Sequence, residues 1–218
     1  MKLDKDSVGT MVGVAASSLT LSALDLIFIR PLWLAIPIAV ILIVFGSFVV
    51  WFHRVPSRTT PDAGNKRLVT SVADGKVVIV ERAYEKEYFK KDCIQVSVYM
   101  NFFDVHANFW PMDGEVTYYK YHPGKKFLAF LPKAAEENEH SSTALRNEHG
   151  EIFFKQIAGT FARRIVCYSK MGANERRGEQ CGIIKFGSRI DMFLPLDAKI
   201  KVKEGELTRA CETVIAEF

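Results

Sequence analysis

Apolar and polar residues follow two different patterns along the chain, and the change falls near residue 55. The stretch LWLAIPIAVILIVFGSFVVWF, residues 32–52, contains no charged residue. A helix of about 20 apolar residues crosses the hydrocarbon core of a bilayer, and soluble helices rarely stay apolar on every face. Trp33 and Trp51 lie near its two ends, where indole rings prefer the membrane interface. The pattern therefore predicts a membrane-spanning helix.

An earlier apolar run, SVGTMVGVAASSLTLSALDLIFI at residues 7–29, is richer in Ser and Thr and contains Asp25. A carboxylate is costly in lipid unless it lies near the interface. Two interpretations stay open: an interfacial helix, or the first arm of a helical hairpin that turns at Arg30-Pro31, which we favour. Basic residues lie on both outer flanks of the pair, which predicts that both flanks are on the cytoplasmic side of the inner (cytoplasmic) membrane. These residues are Lys2, Lys5, His53, Arg54, Arg58, Lys66 and Arg67.

After a polar stretch, apolar residues come in short runs rich in β-branched and aromatic side chains and separated by Gly, Asp and Asn. Such runs predict strands joined by hairpins: KVVIVERA, CIQVSVYM, EVTYYKY, KFLAFLP, EIFFKQI, CGIIKF and KIKVKEG. The segment ENEHSSTALR fits a helix or a strand with loop equally well. We predict an anchor over residues 1–54, a linker over 55–67 and one domain over 68–218.

The Asp-Gly turns in VTSVADGKVVIVE and FWPMDGEVTYYKY resemble the interlocked hairpins of biotinyl and lipoyl carrier domains. The predicted fold is therefore mainly β (α+β), a β-rich single domain with barrel-sandwich-like hairpins, preceded by an N-terminal transmembrane helical hairpin. Likeness of architecture alone says little about function.

Charge and cysteine content narrow the choice of partners. The net charge is +4, and the basic residues flank the apolar region and form no arrays with interleaved aromatics, which favours a membrane surface over nucleic acid. The four cysteines show no CxxC pair and no Cys/His ligand spacing, so the sequence predicts reduced thiols and no metal site.

Five blocks of sequence stand out in the strand-rich part and just before it: VADGKV (72–77), FFDVHANFWPMDGEV (102–116), PGKKFLAFLPKAAEENEH (123–140), QIAGTFARRI (156–165) and FGSRIDMFLP (186–195). In this order they resemble phosphatidylserine decarboxylase proenzymes, above all the short bacterial form. The resemblance covers residues 68–218. It implies a lyase of phospholipid biosynthesis that converts phosphatidylserine to phosphatidylethanolamine and CO₂.

The resemblance also implies a self-cleaving zymogen. In this family the Gly-Ser bond of FGSRIDMFLP cuts itself, so the expected scissile bond joins Gly187 and Ser188. The products are a β chain, residues 1–187, and an α chain, residues 188–218, which stay together as a heterodimer; a homodimer of these is left open. Ser188 becomes the covalent pyruvoyl cofactor, the Schiff-base site for the substrate amine, and no metal or diffusible cofactor is required.

The same resemblance implies a base for the serine. His106 is expected to activate Ser188, and Asp74 to orient and stabilise the imidazole, in the manner of a Ser-His-Asp triad. Many family members carry a second His three residues after the first, and this chain has Phe109 there. His106 is therefore expected to serve self-cleavage, the later protonation or both.

Further residues are candidates for binding the lipid substrate. Arg163, Arg164 and Arg189 offer planar donors for a phosphate or carboxylate. The alternative is a solvated position or a structural ion pair, for example with Glu137, Glu139 or Asp191. Aromatic residues near His106 suit an apolar lip for the lipid, or simply core packing; they are Phe102, Phe103, Phe109 and Trp110.

Other functions stay open on the sequence alone. A decarboxylase of another phosphoserine-headgroup lipid, such as archaetidylserine, needs the same headgroup chemistry. A non-enzymatic, membrane-tethered biotinyl- or lipoyl-like carrier or scaffold module would keep one intact chain, with Lys76 after Asp-Gly as a modifiable tip. A serine hydrolase is disfavoured because KFGSRID lacks the second Gly of a nucleophile elbow.

Overall fold

The structure is a computed structural model, and it describes residues 2–125, 127, 137–159, 164–185 and 188–218. The chain divides into two compact units, Met1–Ser57 and Arg58–Phe218. Each unit has its own secondary structure, helical in the first and strand-rich in the second, and each is described by itself below.

The first unit is a pair of apolar helices joined by a short turn. A 3-10 turn at Lys5–Ser7 leads into α1 (Val8–Phe28), and α2 spans Leu32–Phe52. The ends of the unit are tied by β1 (Lys2–Leu3), which pairs antiparallel with β2 (Arg54–Val55). Small residues let the helices approach closely: a Cβ on Gly46 would lie 2.7 Å from Ser18 Oγ. The less certain apolar run of the sequence is thus a full helix.

Both helices have the length and composition that crossing a membrane requires. Only 22% of the most apolar window of each helix is buried, so most of its apolar side chains face outward. A core helix of a soluble protein buries such side chains, whereas lipid accepts them. Asp25 is the one charged residue within α1 and α2. Its side chain faces inward, and the residue is 8% exposed. These features are consistent with membrane association.

In the described part of the second unit, the regular secondary structure consists almost entirely of strands. Their bounds are β3 Leu68–Thr70, β4 Gly75–Glu85, β5 Lys91–Met100, β6 Ala107–Phe109, β7 Gly114–His122, β8 His140–Arg146, β9 Glu151–Ala158, β10 Ile165–Cys167, β11 Asn174–Glu175, β12 Gln180–Ile184, β13 Ser188–Leu194, β14 Lys199–Ile200, β15 Leu207–Thr208 and β16 Val214–Glu217.

Within the described residues, one large antiparallel sheet carries the strand order β11-β7-β8-β9-β13-β5-β4-β15 and curls into a half-barrel. Two small sheets, β10-β12-β6 and β14-β16-β3, accompany it. Strand β13 lies in the middle of the large sheet and alternates its side chains. Ile190, Met192 and Leu194 enter the main core, whereas Phe193 packs on the other face against Phe153.

The mainly β fold with an apolar helical pair is confirmed. The runs KVVIVERA, CIQVSVYM, EVTYYKY and EIFFKQI all lie inside long strands of the large sheet. ENEHSSTALR, which the sequence left open, contributes β8 and is a strand from His140 onward. KIKVKEG forms only the short β14, and KFLAFLP lies outside the described residues except for Phe127.

The stretch predicted as a linker, 55–67, is attached to the strand-rich unit in its second part. The guanidinium of Arg177 donates to the carbonyls of Pro61 (3.2 Å), Asp62 (2.7 Å) and Asn65 (3.0 Å). Five donors in a rigid fork let one Arg hold several turns of irregular backbone. Residues 58–67 therefore belong to the body of the second unit.

Candidate active site

Ser188 is the first residue of the central strand β13. It is the cross-strand partner of Met100 on β5 and of Ala158 on β9. One register further, Arg189 is opposite Tyr99, which is itself opposite Lys76 on β4. Since these rows run straight across the sheet, Ser188 and the segment just before Lys76, which contains Asp74, lie at the same end of it.

Backbone hydrogen bonds bring the block around His106 to this end. The amide of Phe109 donates to the carbonyl of Val72 at 2.9 Å, two residues before Asp74. The amide of Ile184 donates to the carbonyl of His106 at 3.2 Å, four residues before Ser188. Segments that are far apart in sequence, and that lie in or next to three of the five sequence blocks, therefore meet at one place.

The hydroxyl of Ser188 lies in a dry environment. The residue is fully buried, and its Oγ is 3.7 Å from the sulfur of Met100, a weak acceptor. A contact of this kind restrains the hydroxyl only weakly. Its nucleophilicity depends on a base, because a serine hydroxyl is a weak nucleophile at neutral pH.

The ring of His106 is fully buried and has one orienting contact to the backbone. Its Nδ1 lies 3.0 Å from the carbonyl oxygen of Asp104. A carbonyl only accepts, so Nδ1 carries the proton in this contact and Nε2 of the neutral ring presents a lone pair. A tight turn fixes Asp104, whose carboxylate accepts from the amide of Asn101 at 2.8 Å. In this tautomer Nε2 is the ring nitrogen that can accept a proton.

Asp74 has partners that the sequence did not indicate. Its carboxylate forms a two-pronged ion pair with Arg58, with the second contact at 2.6 Å, and accepts from the amide of Ala210 at 2.8 Å. The glycine after it is required: Gly75 has φ +150°, and a Cβ there would lie 2.2 Å from Tyr99 O. The suggested support of His106 by Asp74 stays a prediction.

A chain of buried polar side chains that sequence reasoning missed runs behind Ser188. Ser141 Oγ donates to Gln156 Oε1 at 2.7 Å, and Gln156 Nε2 donates to Asn108 Oδ1 at 2.8 Å. The amide of Asn108 in turn points at the sulfur of Met100, 3.9 Å away, which also faces Ser188. Fully satisfied buried networks of this kind are rigid. Asn108 lies in the motif DVHANFWP and Gln156 in QIAGTFARRI. Their position in these motifs is the sequence signal that could have identified them as site residues.

Arg189 is a candidate for substrate binding. It lies on the face of the sheet that carries Phe193, opposite the face that packs on the main core. It is 1% exposed, and its NH2 donates to Asp191 Oδ2 at 2.8 Å while Nε lies 2.8 Å from Oδ1 without hydrogen-bond alignment. Asp191 is fully buried as well. The geometry is that of a buried structural ion pair, the alternative that the sequence left open.

This pair leads to a stability prediction. Replacing Asp191 by Leu removes the carboxylate that pairs with the buried Arg189 charge, so we expect a loss of about 3–5 kcal/mol in the free energy of unfolding. The double variant Arg189→Met/Asp191→Leu should recover most of it. The measurement is urea unfolding in detergent on a Ser188→Ala background, which keeps one chain. A cost below about 1 kcal/mol for the single variant, the range of exposed pairs, would contradict the structural role.

The other candidate binding residues are distributed unevenly. Phe109 and Trp110 are buried, and Trp110 packs edge-on against Phe154 in the core at 6.2 Å between ring centroids. Arg164 is exposed beside β10. Phe103, in the turn before His106, is 70% exposed, and its neighbour Phe102 is 39% exposed. Arg163 and Gly187 lie outside the described residues.

The cysteine thiols offer no competing nucleophile in the buried part of this unit. Burial raises the pKa of Cys93 to about 11 and that of Cys211 to about 12, and it also raises the pKa of Cys181. A thiol with so high a pKa stays protonated near neutral pH, and the thiol is a much poorer nucleophile than the thiolate. These three buried thiols are therefore poorer candidates for the nucleophile than Ser188.

Comparison with known proteins identifies the family of this chain. The family model for phosphatidylserine decarboxylase matches residues 45–216. A phosphatidylserine decarboxylase proenzyme of Cytophaga hutchinsonii is 44% identical over 182 residues, 83% of this chain and 82% of its own. That of Amoebophilus asiaticus is 44% identical over 174 residues, 79% and 76% of the two chains. That of Porphyromonas gingivalis is 37% identical over 217 residues, 99% and 98%. The chain belongs to the phosphatidylserine decarboxylase family of enzymes.

Proposed function

We propose that the chain is a proenzyme that cuts itself between Gly187 and Ser188 and then decarboxylates phosphatidylserine to phosphatidylethanolamine at the cytoplasmic face of the membrane. The observation that carries this proposal is the position of Ser188. It is a buried serine at the start of a central strand, at the sheet end where the segments with His106 and Asp74 meet. The family match supports the substrate class.

The self-cleavage needs only groups of the chain and water. Nε2 of His106 accepts the Ser188 proton while Oγ attacks the Gly187 carbonyl; the peptide C–N bond breaks, the nitrogen takes up a proton, and an ester forms. Loss of the Ser188 α-proton then expels the Gly187 carboxylate and leaves a dehydroalanine. Addition of water and departure of ammonia convert it to a pyruvoyl group at the new N-terminus. The buried position of Ser188 suits this series of steps, because bulk water would hydrolyse the ester before the elimination could occur.

The fold supports retention of the short product. After cleavage, β13 of the α chain would still pair on one side with β5 and on the other with β9, both in the β chain. β16, also in the α chain, pairs with β3, the first strand of the second unit, which belongs to the β chain. Such inter-strand hydrogen bonds and the shared core hold the two products together as a heterodimer. The new N-terminus therefore stays where Ser188 is now.

The residues around Ser188 fit a pyruvoyl group, which supplies an electron sink for loss of CO₂ from an amino acid headgroup. His106 would move a proton at that end of the sheet, and its Nδ1 contact with the Asp104 carbonyl orients the ring. Asp74 acts as a positioning residue: with Arg58 and the Ala210 amide, it fixes the turn that leads into β4. Rigid buried surroundings are what such a site requires.

Membrane location is the remaining part of the proposal. The two apolar helices anchor the chain, and basic residues at their outer flanks, Lys2, Lys5 and Arg54, favour the cytoplasmic side. Exposed Phe102 and Phe103, directly before His106, offer an apolar surface along which acyl chains could leave the bilayer. This would bring a lipid headgroup to the buried site without taking the lipid through water.

The proposal predicts turnover of a lipid without added cofactor. Purified full-length protein in mixed micelles with phosphatidylserine should release CO₂ and form phosphatidylethanolamine, and sodium cyanoborohydride added with substrate should inactivate it by reducing the imine between substrate and protein. Liquid chromatography with mass spectrometry checks both. The ether-linked archaetidylserine in a parallel reaction tests the alternative lipid. An intact chain without turnover of either lipid would favour the carrier or scaffold alternative.

A further inference from the structure

A cluster of metal-binding side chains lies away from Ser188. Glu87 follows β4, His122 ends β7 and His140 begins β8, and one ligand atom from each lies within 4.8 Å of the others. His122 and His140 are cross-strand partners whose rings stack at 4.3 Å, with 14° between their planes. We infer that Glu87, His122 and His140 form a binding site for a divalent transition-metal ion, with Zn²⁺ as its representative.

The position of Glu87 is set by the turn that carries it. The buried carboxylate of Glu85 accepts the amides of Glu87 (2.8 Å), Tyr88 (2.8 Å) and Phe89 (2.7 Å). The ring of Tyr88 then stacks on Phe153 at 5.7 Å, which fastens the turn to the sheet. Glu87 is thereby brought over the ends of β7 and β8. Such a preformed arrangement lowers the entropy cost of assembling a site.

The carboxylate of Glu87 is held so that one oxygen faces the histidines. Oε2 accepts from Lys155 Nζ at 2.9 Å and from Ser142 Oγ at 3.0 Å. Oε1 lies 2.6 Å from His122 Nε2. Burial by itself would raise the pKa of Glu87, but its contacts with Lys155 and His122 outweigh this and lower the pKa to about 2. The ligand oxygen is therefore ionised at neutral pH and already oriented.

His140 has the outer contact that metal-ligating histidines usually have. Its Nδ1 lies 2.7 Å from the carbonyl of Asn138, so Nδ1 carries the proton and Nε2 presents its lone pair. Burial lowers the pKa of this ring, in the direction of the neutral form that binds metal. His122 takes the same role once its proton moves to Nδ1 and the metal replaces the hydrogen bond to Glu87.

The distances suit two imidazoles and one carboxylate around a tetrahedral ion. With metal–ligand distances of about 2.0–2.2 Å, ligand atoms around Zn²⁺ are about 3.4 Å apart. The 2.6 Å contact between Glu87 and His122 must open by under about 1 Å, and the upper bound of 4.8 Å must close by under about 1.5 Å. The side chains of His122 and Glu87 keep 24% and 15% of their surface exposed, which gives an ion an entry path and room for a water as fourth ligand.

The charges near the site allow a cation. Lys155 opposes one, but the carboxylates of Glu85, 4.0 Å from its Nζ, and Glu87 leave a net charge of −1 over the three groups. The site lies on the sheet face that carries Arg189, since His122, His140, Ile157 and Arg189 form one cross-strand row. A bound ion would link the β4–β5 turn to β7 and β8 through its ligands, and it would make no contact with Ser188. The role that follows is a structural one.

Metal binding is tested on the full-length protein in detergent, without a polyhistidine tag and after removal of metal with EDTA. Zn²⁺ is titrated against a chromophoric chelator, and the Co²⁺ spectrum is recorded. We expect one ion per chain, no thiolate charge-transfer band, and affinity at least about tenfold weaker in His140→Ala and His122→Ala. His149→Ala, on the β8–β9 turn, is the matched control and should bind as the wild type does.

Two outcomes would overturn the inference. One is a wild type that takes up no stoichiometric metal; the other is a His140→Ala protein that binds as tightly as the wild type. If an alanine variant fails to fold, Glu87→Gln is the second variant: it keeps the shape of the side chain and should still lose affinity, because it removes the anionic ligand. Zn²⁺ should raise the thermal midpoint of the wild type but not that of Glu87→Gln.

Discussion

The Ser188→Ala variant is expected to remain a single chain of 24.6 kDa and to form no phosphatidylethanolamine. Alanine has no hydroxyl to attack the preceding carbonyl, and no other described group can become a pyruvoyl at the start of β13. The effect is therefore complete loss of both cleavage and decarboxylation. Intact mass spectrometry and the lipid assay measure the two on the same sample. In the wild type the smaller fragment should begin at position 188 with a pyruvoyl group.

A matched serine separates this chemistry from packing. Ser97 is fully buried on the neighbouring strand β5, where its Oγ accepts from Gln95 Nε2 at 2.9 Å. Ser97→Ala removes a hydroxyl of similar burial and should still be cleaved and active. If Ser188→Ala is cleaved at the same position, or the wild type stays whole while making product, the proposed origin of the cofactor is wrong.

The strands and the helical pair could be predicted because their patterns are local. The long apolar runs of the anchor and the alternating β-branched runs of β4, β5, β7 and β9 each carry their own signal. The segment that became β8 did not, because His140–Arg146 is rich in polar residues that are nevertheless buried. Its polar side chains find partners only in the folded sheet, for example Ser141 with Gln156.

The candidate site was predictable in its motifs and not in its contacts. The sequence placed Ser188, His106 and Asp74 in blocks, yet the partner of Asp74 is Arg58, which looked like part of a charged linker. The acceptor for His106 Nδ1 is the backbone carbonyl of Asp104, and because every residue has a backbone carbonyl, the sequence could not indicate this contact. Glu87, His122 and His140 come from three separated segments without ligand spacing, so only strand register and the Glu85 turn bring them together.

His106→Ala is expected to slow self-cleavage by about 10²–10⁴-fold, the usual contribution of a positioned base. The ring is buried and oriented through Nδ1, so its Nε2 is the group we expect to accept the Ser188 proton. The measurement is the rate at which freshly synthesised precursor is converted to two chains. His149→Ala, a half-buried histidine on the β8–β9 turn, should be cleaved at the wild-type rate.

Variants of Asp74 and Arg58 test how the His106 ring is supported. If Asp74 acts on the ring, Asp74→Asn should slow cleavage strongly, and combining it with His106→Ala should add little, because residues that act as a unit are not additive. If its work is to hold Arg58 and the Ala210 amide, Arg58→Met should slow cleavage as much as Asp74→Asn does. Wild-type cleavage in His106→Ala would remove the base from the proposal altogether. A slow His106→Ala together with a fast Arg58→Met would return Asp74 to the triad predicted from the sequence.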